Sequence, residues 1–379
     1  MIARNDRLTL FLAGDVMTGR GVDQILPHPS EPEIFEDFVE DARDYVVFAE
    51  QNSGFIRKPV PPAYPWGDAL GVLDREAPFA RIVNLETSVT TSRSFEPKGI
   101  NYRMHPANLP CLTEARIDGC VLANNHVLDF GIAGLVETLD VLRRAGIRTA
   151  GAGRDREEAE RPMVFGMEGG GRLLVFAVGT ESSGVPRAWA ATESRPGVAF
   201  LDESSPEDLE RLCRRIADAK KPGDLVVVSI HWGSNWGYAV THSQQRIAHA
   251  LVECGVDLVH GHSSHHPRPI EIHRDRLVLY GCGDLLNDYE GIGGYEGFRG
   301  ELALLYLPSL ERGTGRLSAL RMVPMRIERM RLRRASREEA MWLARRLDSV
   351  SRDFGVRIGL ADDTSLVATA SSAPRPPLS

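Results

Sequence analysis

Nine apolar runs recur along the chain: LTLFLAGD (8–15), ARIVNLE (80–86), CVLANNH (120–126), IRTAGAG (147–153), RLLVFAVGT (172–180), DLVVVSIHWG (224–233), VDLVHGH (256–262), RLVLYGCGD (276–284) and ELALLYLP (301–308). Each predicts a strand, and several are apolar throughout, as strands covered on both faces are. Helical periodicity falls between them. Leu135, Leu139 and Leu142 form a stripe that stops at Gly146; Ser205-Pro206 opens a helix carrying Leu209, Leu212 and Ile216; Ser243 opens another that stops at Gly255. This alternation predicts an α/β fold.

The flanks of this pattern set the expected organisation. Residues 1–330 are expected to form one domain, interrupted at about 24–66 by an insertion. The insertion joins an acidic, helix-like piece (EIFEDFVEDARDY) to a proline-rich one (KPVPPAYPW) and reads as a flap over a site. Ser336 and Glu339 make a capping-box pattern ahead of Ala340, Leu343 and Leu347, which places a C-terminal helix within 331–360, packed on the body. Residues 361–379 have no period and are expected to be a flexible tail.

Composition narrows the function classes. At 379 residues, with 42% hydrophobic and 26% charged, the chain can bury a large core. A net charge of −7 gives no basic field for nucleic acid. The N-terminus enters a strand-like run too quickly for a signal peptide, and no window approaches a membrane span, so a cytoplasmic location is expected. Five cysteines without a C-x-x-C pair indicate reduced thiols, not a disulfide frame or zinc knuckle.

Ligand-type side chains gather at the predicted C-terminal ends of strands, where open α/β sheets place their sites. Asp15 is either a ligand or a helix cap. Glu86 ends a buried strand, where a carboxylate needs a cation or several donors. Asn125 offers a neutral oxygen, and His126 beside it suits proton delivery to a leaving group. Asp129 either orients His126 or caps the following helix. His231, alone beside a tryptophan, has an ordinary core role as its alternative, whereas His262, His265 and His266 within five residues resemble a metal-binding loop. Mixed nitrogen and oxygen donors suit one or two divalent ions, Zn, Mn or Fe. No G-x-S-x-G, P-loop or H-E-x-x-H motif competes.

The blocks LAGDVMTGR (12–20), NLETS (84–88), LANNHVLDFG (122–131), SIHWG (229–233), GHSSHHPRPIE (261–271) and LYGCGDLLNDYEG (279–291) together resemble the CapA-type poly-γ-glutamate capsule synthesis proteins over roughly 8–308. That family is similar to the calcineurin-like metallophosphatases. The resemblance implies a two-sheet α/β/β/α sandwich, with Asp15, Glu86, Asn125, His231, His262 and His265 as metal ligands and His126 as proton donor. It also implies a metal-dependent hydrolase that uses activated water on a phosphoester or on the amide of a poly-γ-glutamate-like acidic polymer. Rival expectations are a non-catalytic capsule-polymer assembly or binding protein and a recruited enzyme of small-molecule or peptide biosynthesis; capsule-synthesis partners fit the family.

Two positions depart from the family pattern. Met17 stands where metallophosphatases carry the second ligand of the first block, and Ser263-Ser264 separates the last histidines where many CapA-type sequences read His-Pro. A weaker first metal site is therefore expected, with nearer one equivalent of metal than two. Arg20 is the expected anion clamp at this end, with Lys98, Arg103 and Arg268 as further local cations.

Overall fold

The computed structural model describes residues 7–370. Along the strand Arg7–Val16, Leu8, Leu10 and Leu12 point into one apolar cluster while Phe11 and Ala13 point into another. A strand that alternates between two cores must be covered on both faces. Its sheet has ten strands; eight run, from one edge, Val356–Leu360, Leu366–Ala370, Leu317–Ile327, Leu302–Glu311, Arg7–Val16, Ala80–Leu85, Gly119–Val121 and Arg148–Ala150, while Asp284–Leu286 pairs with Arg7–Val16 and Leu332–Arg334 with Leu317–Ile327 off this path. The pairings from Arg7–Val16 onward to Arg148–Ala150 are parallel.

A six-stranded sheet lies against it, ordered Ile270–His273, Arg276–Leu279, Leu258–His262, Leu225–His231, Arg172–Gly179 and Met163–Gly166. Leu173, Val175, Leu225, Val227 and Leu258 from this sheet share a core with Leu8, Leu10, Leu12, Ile82 and Val121. Its other face, Leu174, Phe176, Val226 and Val228, packs on the helices Pro206–Ala219 and His242–Glu253. The far face of the larger sheet packs on Gly131–Arg144 through Leu135, Leu139 and Leu142. Helix, sheet, sheet and helix thus form the expected α/β/β/α sandwich. No helix among the described residues is long and apolar enough to cross a membrane.

Helix signals in the sequence appear as side-chain caps. Ser205 accepts from Asp208 N, and Ser336 with Glu339 forms a reciprocal box that opens Arg337–Ser351. The helix expected to start at Ser243 is instead capped by Thr241 with Gln244.

Three segments differ from expectation. Most of the acidic piece, 33–42, is not a helix; it is closed by a bridge between Glu33 and Asp41, and the helix runs Arg43–Ser53. Glu36 is drawn inward to Arg20 and Tyr45, which a solvated helical face would not require. The C-terminal helix is flanked by strands Leu332–Arg334 and Val356–Leu360. Residues 366–370, placed in the expected tail, form a strand whose Leu366 and Ala368 are buried and which pairs with Leu320–Met322. Its period of two is too short to stand out without the edge it completes. The remainder of that tail, 371–379, lies outside the described residues.

Candidate metal centre

The parallel strands of the two sheets deliver their C-terminal ends to one place. Asp15 closes Arg7–Val16, Glu86 follows Ala80–Leu85, and His231 and His262 end two neighbouring strands of the smaller sheet. Asn125 and His126 lie on the loop after Gly119–Val121, a strand that stops earlier than its apolar run suggests. The sheets are tied together here by His260, whose Nε2 donates to the Ala13 carbonyl at 2.9 Å.

The donor atoms form two groups that share Asp15. In each group, Asp15 with His231 and His262, and Asp15 with His265 and Asp284, the donor atoms lie within 4.8 Å of one another. His231 Nδ1 is 2.8 Å from His262 Nδ1, and its Nε2 is 3.0 Å from Asn125 Oδ1 and 3.7 Å from Glu86 Oε1. Glu86 Oε1 is also 3.7 Å from His126 Nε2. A cavity of about 280 Å³ opens on Glu86, Asn125, His126, His231 and His265. Asp15 is a ligand-type group and no helix cap: it accepts from Asn84 Nδ2 at 2.7 Å and Ser263 N at 3.2 Å.

Hydrogen-bond logic fixes which nitrogens are bare. Because His260 Nε2 donates to a carbonyl, its Nδ1 accepts from the Ser229 hydroxyl, 3.0 Å away. Ser229 Oγ then accepts from His262 Nε2 at 2.8 Å, leaving His262 Nδ1 as a lone pair facing Asp15 and His231. His231 has one proton to place. On Nδ1 it serves His262 and leaves Nε2 bare against Asn125 Oδ1; on Nε2 it leaves two bare nitrogens 2.8 Å apart. With Asn125 presenting its oxygen, one acceptor pair stays opposed either way, a repulsion that a cation removes.

The electrostatics point the same way. Burial, then the neighbouring Asp284, pushes the Asp15 carboxyl up to about 7. Burial, then Asp15, pushes Glu86 well above the usual carboxylate range, and Glu86 Oε2 is buried with no hydrogen-bond partner. Burial also holds His231 and His262 well below the usual imidazole value. For His265 burial acts downward, but the adjacent Asp284 outweighs it and the group is raised. Bare imidazoles among crowded carboxylates suit a divalent cation, which would offset the desolvation cost that each buried anion bears.

Beside these donors His126, Asp129 and Lys98 form a contiguous polar string. His126 Nδ1 is 2.6 Å from Asp129 Oδ2, and Lys98 Nζ is 2.8 Å from Asp129 Oδ1. Asp129 also accepts from Tyr102 N, while the following helix is capped by Phe130 with no side-chain bond, so Asp129 orients His126 and does not cap. Burial holds His126 down at about 4 against the opposing pull of Asp129. With Nδ1 donating to the carboxylate, Nε2 presents a lone pair near Glu86.

The cations differ from expectation. Arg20 is buried with its guanidinium bound to Asp288, Glu36 and Tyr45, so it is an internal ion-pair partner and not an open anion clamp. Arg103 donates to the carbonyls of Ser92 and Glu31, and Arg268 to Ser234 and Ala239. Lys98 alone of the expected cations lines the cavity. His266 turns away from the centre into a stack with Trp236 and Phe298.

Asp284 is the site residue that sequence reasoning missed. It lies in the quoted block LYGCGDLLND, but the recognised pattern has no ligand there; the signal was a third strand-end carboxylate after an apolar run. Met17 is buried with its sulfur 3.5 Å from the Tyr289 hydroxyl, and Asp284 groups with Asp15 and His265 as a further carboxylate donor.

Comparison with known proteins agrees with this architecture of motifs. The family model described as bacterial capsule synthesis protein PGA_cap matches residues 9–289. A probable polyglutamine synthesis accessory protein of Mycobacterium tuberculosis is 48% identical, covering 97% of each chain. The PGA biosynthesis protein CapA of Bacillus subtilis is 26% identical over 82% of this chain and 70% of its own length. Among solved structures, TT1561 of Thermus thermophilus covers 67% of this chain and 94% of its own at 14% identity and a TM-score of 0.35, a likeness too distant to argue from.

Proposed function

Since the chain belongs to the bacterial capsule synthesis family PGA_cap, we propose that it is a metal-dependent hydrolase acting on a phosphoester or on a γ-glutamyl-type amide. The observation that carries this reading is Glu86, whose buried Oε2 has no hydrogen-bond partner and whose Oε1 lies 3.7 Å from both His126 Nε2 and His231 Nε2. Asp15, His231 and His262, with Asn125 and Glu86, would hold one divalent ion; Asp15, His265 and Asp284 would hold a second. Such ions supply Lewis acidity and a lowered water pKa. His126 enters neutral, so it would take the proton released by the attacking water through Nε2 and pass it to the leaving group, while Asp129 holds its ring. Lys98 pairs with Asp129 and offers the cavity's positive charge.

A second reading has its own support: the 48% identical relative is named an accessory protein, and a metal-holding site can serve polymer assembly without turnover. The experiment is reconstitution with Zn, Mn or Fe, followed by assays on bis-p-nitrophenyl phosphate and a γ-glutamyl oligomer. Metal-dependent turnover that falls in His126→Ala supports hydrolysis. Binding of the γ-glutamyl oligomer without turnover, with or without metal, supports the accessory reading, and protein that binds no metal contradicts the hydrolase reading.

A further inference from the structure

A second, larger cleft of about 630 Å³ adjoins the metal-centre cavity and shares Ile100, Asn235, His265 and Tyr289 with it. Its size is in the range that encloses a small-molecule ligand. Large apolar side chains are exposed at eleven described positions, and four of them, Phe38, Ile100, Ile292 and Tyr295, line this one cleft. Apolar surface gathered around a concavity marks a binding groove, whereas scattered exposure is ordinary. Tyr295 stacks on Trp236 with ring centroids 4.0 Å apart and planes 3° apart, which stiffens the wall. Phe38 and Tyr45 come from the 24–66 insertion, so that segment does build a wall. Its proline-rich end does not: Trp66 is buried and donates to the Cys111 carbonyl.

The arginines lining the cleft are already paired. Arg20 is held by Asp288 and Glu36, and Arg326 by Glu339. Glu290, Glu296 and Glu301 add carboxylates to the lining. A chain with a carboxylate on every unit would find no free cation here and would bring like charges together.

We propose that this cleft is an apolar subsite for an uncharged aryl or hydrocarbon group, carried by the same substrate whose reacting group lies at the metal centre. The inference rests on the hydrolase reading for the reacting end only. It makes the substrate amphiphilic: an anionic head at the centre and an apolar body beside it, not a uniformly anionic polymer.

The test uses binding, not turnover. A neutral fluorescent probe, N-phenyl-1-naphthylamine, reads the cleft alone; 1-naphthyl phosphate against methyl phosphate reads its link to the centre. Wild-type protein should bind the probe, and 1-naphthyl phosphate should bind at least about tenfold tighter than methyl phosphate. Phe38→Ser and Tyr295→Ala, with unchanged melting temperatures, should lose both effects and leave methyl phosphate affinity as it was. Failure of the wild type to bind the probe, or binding unaltered in both variants, overturns the inference. Equal affinity for the two phosphates in metal-loaded protein also overturns it. Uptake of the probe with neither phosphate bound keeps the cleft and removes the metal-centre reading.

Discussion

Asp15 and Asp284 are register partners on adjacent parallel strands, brought side by side where Gly14 passes against Gly283. A Cβ on Gly14 would lie 1.9 Å from the Gly283 carbonyl oxygen, so only glycine permits this approach. Gly14→Ala should therefore force the strands apart, destabilise the protein by at least about 1–3 kcal/mol, and weaken metal binding more at Asp15, His265 and Asp284 than at the other group. Thermal melts with and without metal check this; a variant as stable as the wild type, with equal metal content, would refute the close-approach argument.

Ser229 sets the tautomer of His262 through His260 and the Ala13 carbonyl. Ser229→Ala keeps every ligand but frees the imidazole to protonate Nδ1. Removing such a supporting partner typically costs about 10–100-fold in metal affinity. Competition with a chelator should show that loss; unchanged affinity would mean that the chain of hydrogen bonds does not govern the ring.

The raised Asp15 carboxyl makes a prediction about pH. Its folded value, about 7, lies above its unfolded one near 3.8, so the folded, metal-free protein holds the proton more tightly. This group's contribution is fully present below about pH 4 and is lost as pH rises through about 7. Metal-free wild type should thus lose stability across that window relative to Asp15→Asn, and added metal should reverse the loss. Parallel stability curves for the two proteins would contradict the assignment.

Replacing His126 by alanine should lower kcat by about 100–10,000-fold while metal stays bound, as expected for a lost proton-transfer group. Asp129→Asn should act through the ring's tautomer and orientation, moving the pH profile of kcat as well as its height. Loss of metal in either variant would show that His126 is a ligand instead.

Much of the fold was legible in the sequence because the doubly covered strands carry uninterrupted apolar runs, as in 225–231, and the long helices carry capping residues, as at Ser205 and Ser336. The strand Leu317–Ile327 was not, since Arg321, Pro324 and Arg326 interrupt it and its apolar character depends on neighbours on both sides. The site was legible where a motif ends a strand. Asp284 escaped because its strand is three residues long and its role depends on a neighbour far away in the chain. Arg20 misled for the opposite reason: its proximity to Asp15 in sequence was visible, and its capture by Asp288 and Glu36 was not.

The central claim is that two candidate ligand groups share Asp15, one of them completed by Asp284. The sequence alone led to an expectation of nearer one equivalent of metal; two donor groups that share Asp15 motivate the competing prediction of two. Elemental analysis of protein reconstituted with one metal and freed of excess measures this directly. The account predicts about two equivalents in the wild type, about one in Asp284→Asn and close to none in Asp15→Asn, all three folded by circular dichroism. One equivalent in the wild type that Asp284→Asn leaves unchanged would contradict it.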